Sequence, residues 1–172
     1  MSESSAGTFR VHLLISFLVL AADQLTKRLI EQRIPLHESL AIVPGFFSLS
    51  HVQNRGAAFS LFAHMDPEYV RFGLVTFSIL VSAAVAAALW RLSRGYSRVS
   101  IALTLILGGA TGNLLDRIVR GSVVDFLAFQ FGSYHWPDFN VADSAIVIGA
   151  GLLMLDVLLG ERKTSQLPTA PD

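Results

Sequence analysis

Four separate runs of about twenty mostly apolar residues constrain this chain more than any other feature. They lie at about 9–29, 70–92, 99–115 and 141–159. A helix of about 20 residues crosses the hydrocarbon core of a bilayer. The runs are apolar on nearly every face, whereas a soluble helix buries one stripe and wets the other. Composition agrees. Of the 172 residues 52% are hydrophobic and only 15% charged, against about 25% charged in soluble domains. The expected fold is an all-α membrane protein of four transmembrane helices with a small extramembrane β-cradle. The expected domain is a single integral-membrane unit over residues 1–162, followed by a disordered cytoplasmic tail at 163–172.

Arg10 and the apolar run Val11–Ala22 imitate the start of a signal peptide. Leu20-Ala21-Ala22 is a poor cleavage site, and the apolar spacing continues through Leu25, Leu29 and Ile30, so the reading is a retained helix. Between the first two runs, LAIV and FFSLSHV flank the turn signal Pro44-Gly45. A third strand-like piece, SVVDFLAFQF, follows the third run. Gly108, Gly109, Gly112, Gly149 and Gly151 are small enough for close helix packing in lipid. Four spans put both termini on one side. The short, arginine-dense turn at 93–98 marks that side as cytoplasmic.

Zero formal net charge, with no long basic patch, gives no reason to expect nucleic acid as a partner. The chain has no cysteine, which removes disulfides, thiolate metal sites, a cysteine nucleophile and S-palmitoylation. Its five histidines lack metal-ligand spacing and there is no HExxH, so neither a metal nor another cofactor is expected.

Polar residues in or beside membrane helices are costly and mark functional sites. Asp23 lies roughly 21 Å into the first helix, near its exit. Asn113 and Asp116 lie at the exit of the third, and Asn140 and Asp143 at the entry of the fourth. Because helices alternate in direction, these ends face one side of the membrane. The loop residues Asn54 and Asp125 face that side too. Asp156, roughly 20 Å beyond Asp143, belongs to the other face. Asp23 and Lys27, and Asn113 and Arg117, are four apart and share helix faces. Two close carboxylates can share a proton, one activating water while the other donates to a carbonyl oxygen. Ordinary readings stand beside this one. Asp143 fits a first-turn carboxylate at a helix N-terminus. Asn54-Arg55-Gly56 fits a turn, and Asn113 and Asn140 fit interhelical hydrogen bonding. Phe46, Phe47, Tyr134 and Trp136 fit interfacial aromatics.

Five segments, in order across almost the whole chain, resemble bacterial lipoprotein signal peptidase (signal peptidase II). They are DQLTK at 23–27, NRGAAFS at 54–60, GGATGNLLDR at 108–117, VVDF at 123–126 and FNVADS at 139–144. The resemblance implies an inner-membrane aspartyl endopeptidase. It would cleave diacylglyceryl-modified prolipoproteins before the lipidated cysteine, with Asp125 and Asp143 as its catalytic pair. It further implies that Asn54, Gly56, Asn113, Arg117 and Asn140 line the substrate and inhibitor site, and that Asp23, Lys27 and Asp116 support it. Expected partners are the lipidated precursor, membrane phospholipid and globomycin-type cyclic peptides, with the enzyme acting as a monomer. A small transporter and a non-enzymatic lipoprotein chaperone remain as alternatives.

Overall fold

Each apolar run forms one helix in the computed structural model, which describes residues 3–56, 66–92 and 95–164. They are α1 (Glu3–Arg33), α2 (Pro67–Leu92), α3 (Arg98–Val119) and α4 (Val141–Thr164). All four contain stretches long and apolar enough to cross a membrane. They extend beyond the apolar windows because a helix satisfies its own backbone in lipid and stops only where other groups take over its last carbonyls. At α3 that group is Arg71, whose Nε and Nη2 donate to the carbonyls of Arg117 and Ile118 at 3.0 and 2.8 Å. At α4 the helix continues through Lys163 and Thr164, two positions expected in the disordered tail. Residues 57–60 of the NRGAAFS segment, and 165–172 of the expected tail, lie outside the described residues.

α3 is the centre of the bundle. It packs against α1, α2 and α4. Over its membrane window 56% of residues are buried, against 11–17% in the other three, which face lipid. Glycine makes this closeness possible. A Cβ on Gly108 would lie 2.8 Å from the Ser16 carbonyl oxygen of α1, and one on Gly149 would lie 2.7 Å from that of Ala102 on α3. Gly151 differs from the expectation: it has nothing within 4 Å and tightens no contact.

The cradle is one antiparallel sheet in the order β1-β2-β3-β4, built from β1 (Ser39–Val43), β2 (Phe47–Asn54), β3 (Val123–Phe131) and β4 (Tyr134–His135). Pro44-Gly45 turns β1 into β2, with Gly45 at φ +73°. Ile30 and Ile34 at the end of α1 pack against Val124 and Phe126, fixing the sheet on the bundle. Between the pairs Leu49–Leu127 and Val52–Asp125, β2 advances three residues while β3 advances two. That bulge reverses the facing of everything after it on β2. Asn54 therefore stands opposite Val123 and on the same face as Asp125.

Candidate active site

The entry to α4 is set by hydrogen bonds to β3. The carbonyl of Phe139 accepts from the Phe126 and Leu127 amides at 3.0 and 2.8 Å. Asn140 then caps α4. Its Oδ1 accepts from the Asp143 amide at 2.9 Å, and Asp143 Oδ2 accepts from the Asn140 amide at 3.3 Å. This is the reciprocal capping box, here made by Asn and Asp. Asp143 is thus a first-turn carboxylate as the ordinary reading has it. Its other oxygen, Oδ1, points into the cluster and accepts from Asn113 Nδ2 at 2.7 Å.

Asp125 is held by two amides. Its Oδ2 accepts from Asn54 Nδ2 at 3.0 Å and its Oδ1 from Asn140 Nδ2 at 2.7 Å. Asn140 therefore touches both acidic residues, its side-chain amide on Asp125 and its backbone amide on Asp143. Asn54 is oriented in turn by the Gly56 amide, which donates to its Oδ1 at 2.9 Å. Gly56 sits at φ +86°, and a Cβ there would collide with Leu74, so this turn requires glycine. Asp125 is 3% exposed. Burial pushes its pKa up from 3.8 to about 6. The Asn54 bond opposes the shift, the charge of Asp143 adds to it, and the Asn140 bond and the Lys27 charge oppose it.

Behind this pair lies a second charged layer. Lys27 is fully buried and its Nζ meets Asp23 Oδ2 at 2.8 Å, Asp116 Oδ2 at 2.6 Å and Asn113 Oδ1 at 3.1 Å. Asp23 Oδ1 accepts from the Ala142 amide at 2.9 Å. Asp116 Oδ1 accepts from Arg120 Nη1 at 2.7 Å and Gln24 Nε2 at 2.8 Å. Arg120 also pairs with Glu31 at 2.9 Å at the rim, so three carboxylates share two cations and each buried carboxylate has a cationic partner.

Arg117 lies in the field of Asp143, Asp116 and Asp125. It spends Nη1 on the Asn113 carbonyl at 3.2 Å, while its Nε has no hydrogen-bond partner among the described residues. An apolar cavity of about 560 Å³ opens beside the cluster, with Asp143 and Ser144 on its wall and Phe129, Trp136, Phe139 and Val147 around them. It runs between the sheet and α4. A cavity of about 690 Å³ on the α2–α3 side is larger but holds no member of the cluster, so chemistry favours the smaller one. Among the described residues, no group of three or more His, Asp or Glu side chains is placed to hold a metal ion.

The structure brings together all ten residues singled out from the sequence: Asp23, Lys27, Asn54, Gly56, Asn113, Asp116, Arg117, Asp125, Asn140 and Asp143. Asp156 stands apart, 3.5 Å from Arg98 at the opposite end of α3. Gln24 and Arg120 were missed. The signal was present, since Arg120 is four residues after Asp116 on the same helix face and Gln24 follows Asp23.

A family model described as Signal peptidase (SPase) II matches residues 15–159. The chain belongs to the signal peptidase II family. It is 48% identical to the lipoprotein signal peptidase of Syntrophotalea carbinolica over 151 residues, covering 86% of this chain and 90% of that one. It is 39% identical to the lipoprotein signal peptidase of Geobacter metallireducens, covering 92% and 96% of the two chains. A bacterial membrane enzyme solved by the in meso method at 2.3 Å superposes with a TM-score of 0.78 at 25% identity, covering 94% of each chain. The chain is therefore a multi-pass membrane peptidase of the aspartic type, and membership of signal peptidase II displaces the transporter and chaperone alternatives.

Proposed function

We propose that this signal peptidase II removes the signal peptide from diacylglyceryl-modified prolipoproteins, cutting before the lipidated cysteine, with Asp125 and Asp143 as the catalytic pair. The observation that carries the assignment is Asn140 bonded to both acids at the mouth of an apolar cavity. Asp125, the more buried partner with its pKa pushed up by burial, carries the proton. Ionised Asp143 takes a proton from water as the water oxygen bonds to the scissile carbonyl carbon, and Asp125 donates its proton to the carbonyl oxygen. When the tetrahedral species collapses, the C–N bond breaks. The proton on Asp143 passes to the leaving nitrogen, and the hydroxyl proton returns to Asp125.

Arg117 and the amides of Asn54 and Asn113 line the path of the peptide, and Gly56 holds Asn54 in place. The cavity between β3 and α4 takes an acyl chain. Its wall continues onto Val147 and Ile148, which are 69% and 57% exposed toward lipid. Anchoring by the diacylglyceryl group places the scissile bond, so positioning supplies part of the rate. Globomycin-type cyclic peptides occupy the same site, and phospholipid covers the helices. One chain supplies every site residue, so it works as a monomer. The termini are cytoplasmic and the site faces the outer side of the inner membrane, in keeping with the arginines of the short α2–α3 connection.

The test is cleavage of a lipidated precursor by purified protein in detergent. Asp125→Asn and Asp143→Asn are each expected to abolish turnover while the protein stays folded. Wild-type turnover by either variant rejects the pair.

A further inference from the structure

Lys27 is the largest fully buried side chain among the described residues, and it touches neither member of the aspartate pair. An ammonium has three protons and no acceptor. Here all three have an oxygen: Asp23 Oδ2, Asp116 Oδ2 and Asn113 Oδ1. Each of those groups leads to the pair. Asp23 Oδ1 holds the amide of Ala142, the residue before Asp143. Asp116 Oδ2 lies 3.4 Å from the amide of Val124, the residue before Asp125. Asn113 has its carbonyl oxygen turned to Lys27 and to Asn140 Nδ2, which leaves its NH2 group to donate to Asp143 Oδ1.

We infer that Lys27 is a positioning residue for the catalytic aspartates: its ammonium fixes the backbone ahead of each and the amide orientation of Asn113 between them. The inference rests on the assignment of Asp125 and Asp143 as the pair. Physically, a charge in low dielectric locks its partners more firmly than a neutral donor. Without it the Asn113 oxygen keeps only the longer, neutral bond from Asn140 Nδ2 at 3.3 Å to hold the amide with its NH2 toward Asp143. Misplacement of a reacting group by about 1 Å costs about 100-fold in rate.

Lys27→Met keeps the length of the stem and removes the charge. Its expected phenotype in the lipidated-precursor assay is a fall in kcat of about 100-fold with a much smaller change in KM, because Lys27 itself does not line the path of the peptide. A further readout separates this from general loosening. Asp125 is faced by Asp143 from α4, Arg117 from α3, Lys27 from α1 and the Asn54 amide from β2. Removing the Lys27 charge, and uncovering those of Asp23 and Asp116, both favour the protonated form of Asp125. The alkaline limb of the kcat profile therefore moves to higher pH.

Lys27→Met/Asp116→Asn leaves the net charge of the network unchanged and still lacks the ammonium, so it is expected to be the better folded of the two and to show the same losses. Asp125→Asn and Asp143→Asn run alongside. If they are inactive while a folded Lys27 variant turns over at the wild-type rate, positioning by Lys27 is wrong and the pair stands. If they are active, the pair itself is wrong. If neither Lys27 variant folds, or if KM rises in proportion while the alkaline limb stays in place, Lys27 holds the fold rather than the pair and the inference fails.

Discussion

Asp125, the proposed proton donor, is held at a cost to stability. Folding raises its pKa from 3.8 to about 6, chiefly by burial. The folded state therefore holds its proton more tightly than the unfolded state does. The stabilisation from that proton is full below the ordinary value and is lost as pH rises through the folded value. The gap of about two units corresponds to roughly 3 kcal/mol. Between pH 4 and pH 6 the native protein should lose melting temperature, and Asp125→Asn, which cannot ionise, should lose less. Parallel melts in detergent check this, and identical slopes for the two proteins would refute the raised pKa. Asp125 was legible as a candidate in VVDF, but its environment was not. Nothing in the sequence says that Asn54 and Asn140 both donate to it, because that depends on a bulge and a helix cap meeting in space.

At the scale of elements, α4 carries its cap and its proposed chemistry in the same four residues. Asn140→Ala removes the N-cap, a loss of about 1 kcal/mol. It also removes the amide on Asp125. Ser97→Ala makes the same kind of cut at α3, where Ser97 and Ser100 form a capping box at the other end of the bundle. Both variants should melt lower, Asn140→Ala by more because its buried Nδ2 also serves Asp125, Asn113 and the Val124 carbonyl, yet only Asn140→Ala should lose turnover. An equal loss of turnover in both would mean that helix loosening, not the contact with Asp125, governs the effect. The helices themselves were legible because twenty apolar residues in lipid have few alternatives. The strands were legible as pieces, LAIV and FFSLSHV about Pro44-Gly45. Their register was not. It hinges on the extra residue between Leu49 and Val52, which turns Asn54 to the Asp125 face. A local pattern of alternation does not announce such a slip.

The molecule as a whole is an apolar bundle whose buried charge is gathered at one end. The site, the sheet and the ends of α1 and α3 share that end, and the α2–α3 connection occupies the other. On the proposed orientation the connection is cytoplasmic and the cluster faces outward. The absence of cysteine lets this be tested cleanly, since any introduced thiol is the only one in the chain. Glu38 lies just before β1 and is exposed, and Arg98 opens α3 at the opposite end with its side chain 53% exposed. Neither belongs to the cluster. Arg98 gives up only a surface pair with Asp156, worth at most about 1 kcal/mol. Glu38→Cys should react with a membrane-impermeant maleimide in intact spheroplasts. Arg98→Cys should react only after the membrane is opened. The reverse pattern would place the aspartates on the cytoplasmic face. That outcome would overturn the proposed orientation.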